Sequence, residues 1–163
     1  KLLGELKNVR NFGITGEDQF NGVGVNAKLS EVHAAFGLLN LEAINDCLSK
    51  RKKIGEIYFD NICNQVGILI KPTEQTNYCY FPVCFSTFEE REAVYKNLRK
   101  NDIYPRKYFS PLLCNNKSAL RRLVNAQDLV SRILCIPIYP DLPEADALRI
   151  CKIINQSLKD SLK

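Results

Sequence analysis

Apolar residues recur every three or four positions through much of the chain, and polar or glycine-containing stretches divide these runs into separate elements. Leu29, Val32, Phe36 and Leu39 follow helical spacing, with Ser30 or Asn26 available as the cap. A longer helix is predicted over roughly residues 43–65. There Ile44, Cys47, Leu48, Ile54, Tyr58 and Ile62 form one face while Lys50 to Lys53 point away. Residues 1–12 read as the end of a helix, with Gly13 where a C-cap would fall. Residues 13–27, which contain Gly13, Gly16, Gly22 and Gly24, read as a polar loop.

The pattern changes after Gly67. Residues 67–70 and 78–85 are predicted as strands, and Pro82, which has no N–H to donate, argues for an edge position or an irregularity. Thr87 followed by Glu90 is a capping box that opens a helix to about Lys100. A short strand is predicted over 103–108, a short helix over 117–124, a turn over 127–130 and a strand over 132–137. Asp141 and Glu144 form a second capping box, with Pro143 at the helix start, and the last helix carries Leu148, Cys151, Ile154, Leu158 and Leu162. Mixed strands and helices from residue 67 onward define a small α/β or α+β domain whose boundary lies in or just after the long helix.

Composition narrows the class. The 163 residues are 45% apolar and 25% charged, enough for one domain with a core and part of another. No run approaches the ~20 apolar residues of a membrane span. The charges in the first seven residues rule out a signal peptide there. The chain starts at Lys1 and contains no methionine, so we read it as beginning within a longer protein. The net charge of +5 is dispersed; only 51–53 and 121–122 cluster, both in predicted helices, and no basic stripe suited to nucleic acid is present. Seven cysteines without CxxC spacing, beside one histidine, make no metal site. They read as free, buried, small hydrophobes in a reducing, cytoplasmic setting.

Few residues are placed for chemistry. His33, the one histidine, lies in an apolar helical segment and reads as structural. Gly22-x-Gly24-x-x-Ala27 loosely fits a dinucleotide fingerprint but lacks the strand that must precede it. The same stretch, with the Asn26 amide and the Lys28 amine at a helix start, suits an anion. Taken alone it also reads as a capping asparagine beside a solvated lysine.

Several motifs occur in a specific order: Arg10-Asn11-Phe12-Gly13, Gly24-Val25-Asn26-Ala27-Lys28-Leu29-Ser30-Glu31, Ala34-Ala35-Phe36-Gly37-Leu38-Leu39-Asn40-Leu41, and Arg51-Lys52-Lys53. Tyr80-Phe81-Pro82, the stretch 104–112 and the stretch 131–137 follow. Together, over essentially the whole chain, they resemble the DegT/StrS family of pyridoxal-phosphate-dependent sugar-nucleotide aminotransferases. The resemblance implies an α/β fold, the C-terminal part of a fold-type-I transferase. Residues 1–50 would be the tail of the large cofactor domain with an interface helix, and residues 51–163 a small α+β domain including the linking helix.

It further implies a homodimer that moves an amino group from glutamate to a keto-deoxysugar nucleotide, such as a dTDP-4-keto-6-deoxyhexose, for polysaccharide or amino-sugar synthesis. Asn26 and Lys28 match family positions that reach the phosphate of pyridoxal 5′-phosphate bound by the neighbouring subunit. An amide and an ammonium both make charge-assisted bonds to phosphate oxygens. Arg106 and Lys107 would meet a diphosphate and Tyr108 would offer a hydroxyl or a stacking face; as plain residues the two cations also read as exposed strand ends. Leu113 stands where many relatives have histidine. The resemblance places the cofactor-bearing lysine, the aspartate at the pyridine nitrogen and the stacking aromatic before Arg10. No catalytic residue is therefore assigned here, and the chain alone is expected to be inactive. The rival reading is a non-catalytic interaction or regulatory module derived from the family.

Overall fold

Helix α1 (Leu2–Arg10) stops because the chain turns left-handed immediately after it. Phe12 has φ 60° and Gly13 φ 78°, and the Gly13 N–H donates back to the Asn8 carbonyl at 2.8 Å, a Schellman closure. Gly13 does mark the stop, but Phe12 takes the first left-handed position, which is rare for a residue with a side chain. The computed structural model describes residues 1–64, 66–70, 73–112 and 124–161. The chain divides into two units, Lys1–Ile44 and Asn45–Lys163.

In the first unit the predicted loop holds a small antiparallel hairpin, β1 (Ile14–Gly16) and β2 (Gln19–Phe20). Neither run has the alternation that marks a strand; backbone pairing alone makes them. Helix α2 (Glu31–Glu42) starts at Ser30, whose hydroxyl accepts from the His33 N–H at 3.3 Å. Ser30 and not Asn26 is thus the cap. His33 adds a 2.6 Å hydrogen bond between its Nδ1 and the same hydroxyl, so it is a capping residue. Neither α1 nor α2 has a buried residue. Leu2, Leu3, Leu6, Val32, Phe36, Leu38, Leu39 and Leu41 are all exposed.

The second unit begins within α3 (Ile44–Asn61), which ends four residues before the predicted limit of 65. Asn155 explains the stop: its amide donates to the Asn61 carbonyl at 2.8 Å and accepts from the Cys63 N–H at 3.0 Å. Strands β3 (Gly67–Ile68), β4 (Phe81–Cys84) and, later, β5 (Ile133–Ile136) form an antiparallel sheet in the order β3-β4-β5. Pro82 therefore lies in the central strand, against the edge position its chemistry suggested. Phe85 donates toward β5, to the Arg132 carbonyl, so by alternation the donor Pro82 lacks falls on the β3 side. There β3 is only two residues long, and Pro82 still accepts from Leu69 at 3.1 Å.

Helix α4 (Phe88–Lys100) is capped by Thr87, which accepts from the Glu90 N–H at 3.1 Å. Glu90 reaches back to the Ser86 N–H at 3.0 Å, one residue before the position a standard capping box uses. The predicted strand 103–108 is reduced to one bridge, Arg106 with Cys135, made by bonds of 2.9 and 2.8 Å. The predicted helix 117–124 and Leu113 lie outside the described residues, apart from the start of α5 (Val124–Arg132). Helix α6 (Glu144–Ser161) begins at Glu144, so Asp141 stands too far ahead to cap it. Its buried stripe is Ala147, Ile150, Cys151, Ile154 and Leu158, while Leu148 is exposed and Leu162 lies outside the described residues.

Phe81, Val83, Leu134 and Ile136 share one sheet face by register. They join Tyr58 of α3, Val94 and Leu98 of α4, and the α6 stripe in one core. Asn97 donates to Ser157 at 2.9 Å and links α4 to α6. The cysteines are less uniform than expected. Cys135 and Cys151 are buried, Cys47, Cys63 and Cys84 are half-buried, and Cys79 is exposed; all six are free, and Cys114 lies outside the described residues.

Two outcomes follow. Tyr58 donates to the Pro137 carbonyl at 2.6 Å, so Tyr58→Phe should lower stability by about 1–2 kcal/mol in urea unfolding. Burial raises the Cys135 and Cys151 thiols from 9.0 to about 11. Unfolding then releases their protons once pH exceeds the ordinary thiol value, so stability should fall between about pH 9 and 11. Urea midpoints measured across that interval check the sign, and Cys151→Ala should flatten the slope.

Candidate functional site

In the first unit the glycine-rich stretch is held by backbone against backbone. Val25 N–H donates to the Val9 carbonyl at 2.8 Å, Phe12 N–H to Val25 at 3.3 Å, and Ala27 N–H to Arg10 at 3.1 Å. Asn11 and Asn26 form a bridge at this crossing. The approach is possible because Gly24 has no side chain: a Cβ there would lie 2.1 Å from the Gly13 nitrogen and 2.3 Å from the Phe12 carbonyl carbon. The stretch is therefore a braced support, fixed to the end of α1.

That support presents Asn26 and Lys28 together. Both are exposed, and the Asn26 side chain makes no hydrogen bond among the described residues. Lys28 Nζ lies 5.4 Å from the centre of the Phe12 ring. The strained Phe12 backbone and its ring thus orient the lysine. An amide and an ammonium on a rigid, exposed loop can hold one face of a phosphate.

In the second unit Arg106, Lys107 and Tyr108 line an open groove of about 570 Å³ with Tyr95, Arg99, Tyr104, Pro105 and Ser110. Helix α4 supplies one wall. It ends on the left-handed Asp102, with Ile103 N–H closing to the Leu98 carbonyl at 3.0 Å, and this turns the chain back along β5. The Arg106–Cys135 bridge then fixes the second wall.

Each cation of the groove rests on an aromatic ring. Arg99 lies 4.3 Å from the Tyr104 centroid, Arg106 5.8 Å from Tyr108, and Lys107 3.9 Å from Tyr95. Tyr108 in turn stacks on Phe109 at 4.8 Å and meets the edge of Tyr80 at 5.6 Å. The three cations differ in charge balance. Lys107 Nζ is 2.6 Å from Glu92 Oε1, which also pairs with the buried Arg91 at 3.1 Å. Among the described residues no carboxylate lies within 4.0 Å of Arg99 or Arg106.

Arg99, Tyr95 and Glu92 escaped the motif-based reading. The spacing was available, since residues 92, 95 and 99 fall on one face of a helix. What could not be read locally is that this face meets residues 104–108. A smaller cavity of about 360 Å³ lies between Tyr104, Tyr139, Leu142 and Arg149.

The described architecture, mixed helix and sheet, is shared with solved aminotransferase structures. The aminotransferase TlmJ from Streptoalloteichus hindustanus superposes with a TM-score of 0.87 over 99% of this chain and 46% of its own, at 17% identity. An aminotransferase from Brucella abortus does so with a TM-score of 0.82 over 93% of this chain and 42% of its own, at 23% identity. These likenesses concern fold. Residues 2–155 match the DegT/DnrJ/EryC1/StrS aminotransferase family, and the chain belongs to that family. A dTDP-4-amino-4,6-dideoxy-D-glucose transaminase from Escherichia coli is 35% identical over 161 residues, 91% of this chain. The match spans 43% of that relative's length, so the chain covers less than half of it.

The backbone crossing carries its own test. Gly24→Ala drives a methyl group into main-chain atoms that cannot swing away, at a cost of about 1–3 kcal/mol. Limited proteolysis should then cut residues 22–28 faster than in the parent. An unchanged cleavage rate would show that the crossing is not what fixes the loop.

Proposed function

We propose that the chain is the C-terminal part of a pyridoxal-phosphate-dependent sugar-nucleotide aminotransferase. The observation that carries this reading is the family match across residues 2–155, which covers both the Asn26–Lys28 loop and the groove at Arg106–Tyr108. Residues 1–50 are the tail of the large domain with its interface helix, and residues 51–163 the small domain. The whole enzyme transfers an amino group from glutamate to a keto-deoxysugar nucleotide of the dTDP-4-keto-6-deoxyhexose type. It acts in the cytoplasm as a homodimer, for polysaccharide or amino-sugar synthesis. Free cysteines and the absence, among the described residues, of any helix long and apolar enough to cross a membrane are compatible with that setting.

The donor set of the loop fits the phosphate end of the cofactor. Asn26 offers an amide unengaged among the described residues, and Lys28 a cation over the Phe12 ring. When bound, pyridoxal phosphate supplies an electron sink and an amino-group carrier. This chain's part is to hold and orient: Asn26 and Lys28 bind the phosphate presented by the partner subunit. Arg106, Lys107 and Tyr108 form a wall for the nucleotide sugar, with Lys107 sharing its charge with Glu92. The cofactor-bearing lysine belongs to the preceding part of the protein, so this chain alone does not transaminate.

Two measurements on the intact protein decide the matter. Asn26→Ala should lose cofactor on dialysis, read as falling visible absorbance, while sedimentation still shows a dimer; full retention would remove Asn26 from the site. Incubation with glutamate and a panel of keto-sugar nucleotides should yield an amino sugar. No turnover with any member would favour a non-catalytic module of the same family.

A further inference from the structure

The groove of the second unit is better suited to an anion than its motif residues suggest, and the charge balance indicates which side chains meet it. Three cations line it or reach into it, and one carboxylate, Glu92, is spent on Lys107 and the buried Arg91. Arg99 and Arg106 keep their full charge, with no acidic partner among the described residues. Both are exposed, so water solvates them until a ligand arrives. Each guanidinium also lies over a tyrosine ring, which limits its freedom and lowers the entropy lost on binding. A guanidinium presents parallel N–H groups that match two phosphate oxygens, whereas the lysine is a point charge already compensated.

We propose that Arg99 and Arg106 together form a diphosphate clamp, in which Arg99 of α4 is a binding residue for the sugar nucleotide and Tyr104 is the ring that positions it. Lys107 serves the clamp indirectly: its pair with Glu92 ties the 104–108 segment to α4 and sets the width of the groove. The diphosphate is the shared element of every nucleoside-diphosphate sugar. The clamp therefore recognises the class of substrate and leaves the choice of base and sugar to other contacts. This assignment rests on the aminotransferase reading above, because that reading supplies the ligand.

The test uses the intact enzyme with two probes, a nucleoside diphosphate and inorganic pyrophosphate, followed by calorimetry. Arg99→Ala and Arg106→Ala should each weaken the nucleoside diphosphate about tenfold. Arg99→Lys should recover only part of that loss. Lys100→Ala removes an equal charge from the same helix outside the groove and should change affinity less than twofold. Steady-state assays should show the Arg99→Ala loss mainly in KM for the sugar nucleotide, with KM for glutamate unmoved. Pyrophosphate should compete with the nucleoside diphosphate in the parent and lose affinity in parallel in the variant.

If Arg99→Ala binds within twofold of the parent while the enzyme still turns over, the clamp is wrong and the aminotransferase reading stands. An equal loss in Lys100→Ala would reduce the effect to net charge and overturn the clamp as well. If the intact protein binds neither probe and aminates no sugar nucleotide, both readings fall together.

Discussion

Phe81 is fully buried between two aromatic side chains of α3, with Tyr58 at 5.0 Å and Phe59 at 5.1 Å, both edge-on. Pairs of this geometry add about 0.5–1.5 kcal/mol each beyond the area they bury. Their position matters more than their energy. They lock α3 onto the central strand, and the Tyr58 hydroxyl then reaches the Pro137 carbonyl just beyond β5. One end of the β4–β5 pairing is thereby held, and Arg132 secures the other by donating to the Phe85 carbonyl at 2.8 Å. The segment carrying Arg106 hangs on β5 by a single bridge, so the groove inherits its geometry from this aromatic contact.

The first unit obeys a different constraint. It has almost no core of its own, and its order comes from main-chain hydrogen bonds at the Gly13–Gly24 crossing. Helix α2 is mostly apolar and yet exposed, a composition typical of helices that are covered in a larger core. The loop presenting Asn26 and Lys28 is braced all the same, because its support is covalent neighbourhood and backbone pairing and needs no hydrophobic partner.

The site residues divide along the same line. Asn26 and Lys28 lie two positions apart on one loop, so a motif was enough to propose them. Arg106 and Tyr108 are proposed in the same way. Glu92, Tyr95 and Arg99 complete the groove from a helix that precedes it, and only the return of the chain at Asp102 brings them to it. The charge of Lys107 cannot be judged without Glu92, nor that of Arg99 without knowing that, among the described residues, no carboxylate lies within 4.0 Å of it.

Local chemistry settled what depends on residues within about one helical turn. The periodic apolar faces marked the helices, Ser30 and Thr87 marked two of their starts, and the order of motifs marked the family. Tertiary structure decided what depends on distant partners. Pro82 is tolerated in the central strand because β3 is short, residues 103–108 pair with β5 at one position only, and α3 ends where Asn155 of α6 meets it. The reason is the same in each case. A hydrogen bond between Asn61 and a residue 94 positions away, or between Tyr58 and one 79 away, leaves no trace in the spacing of neighbouring side chains.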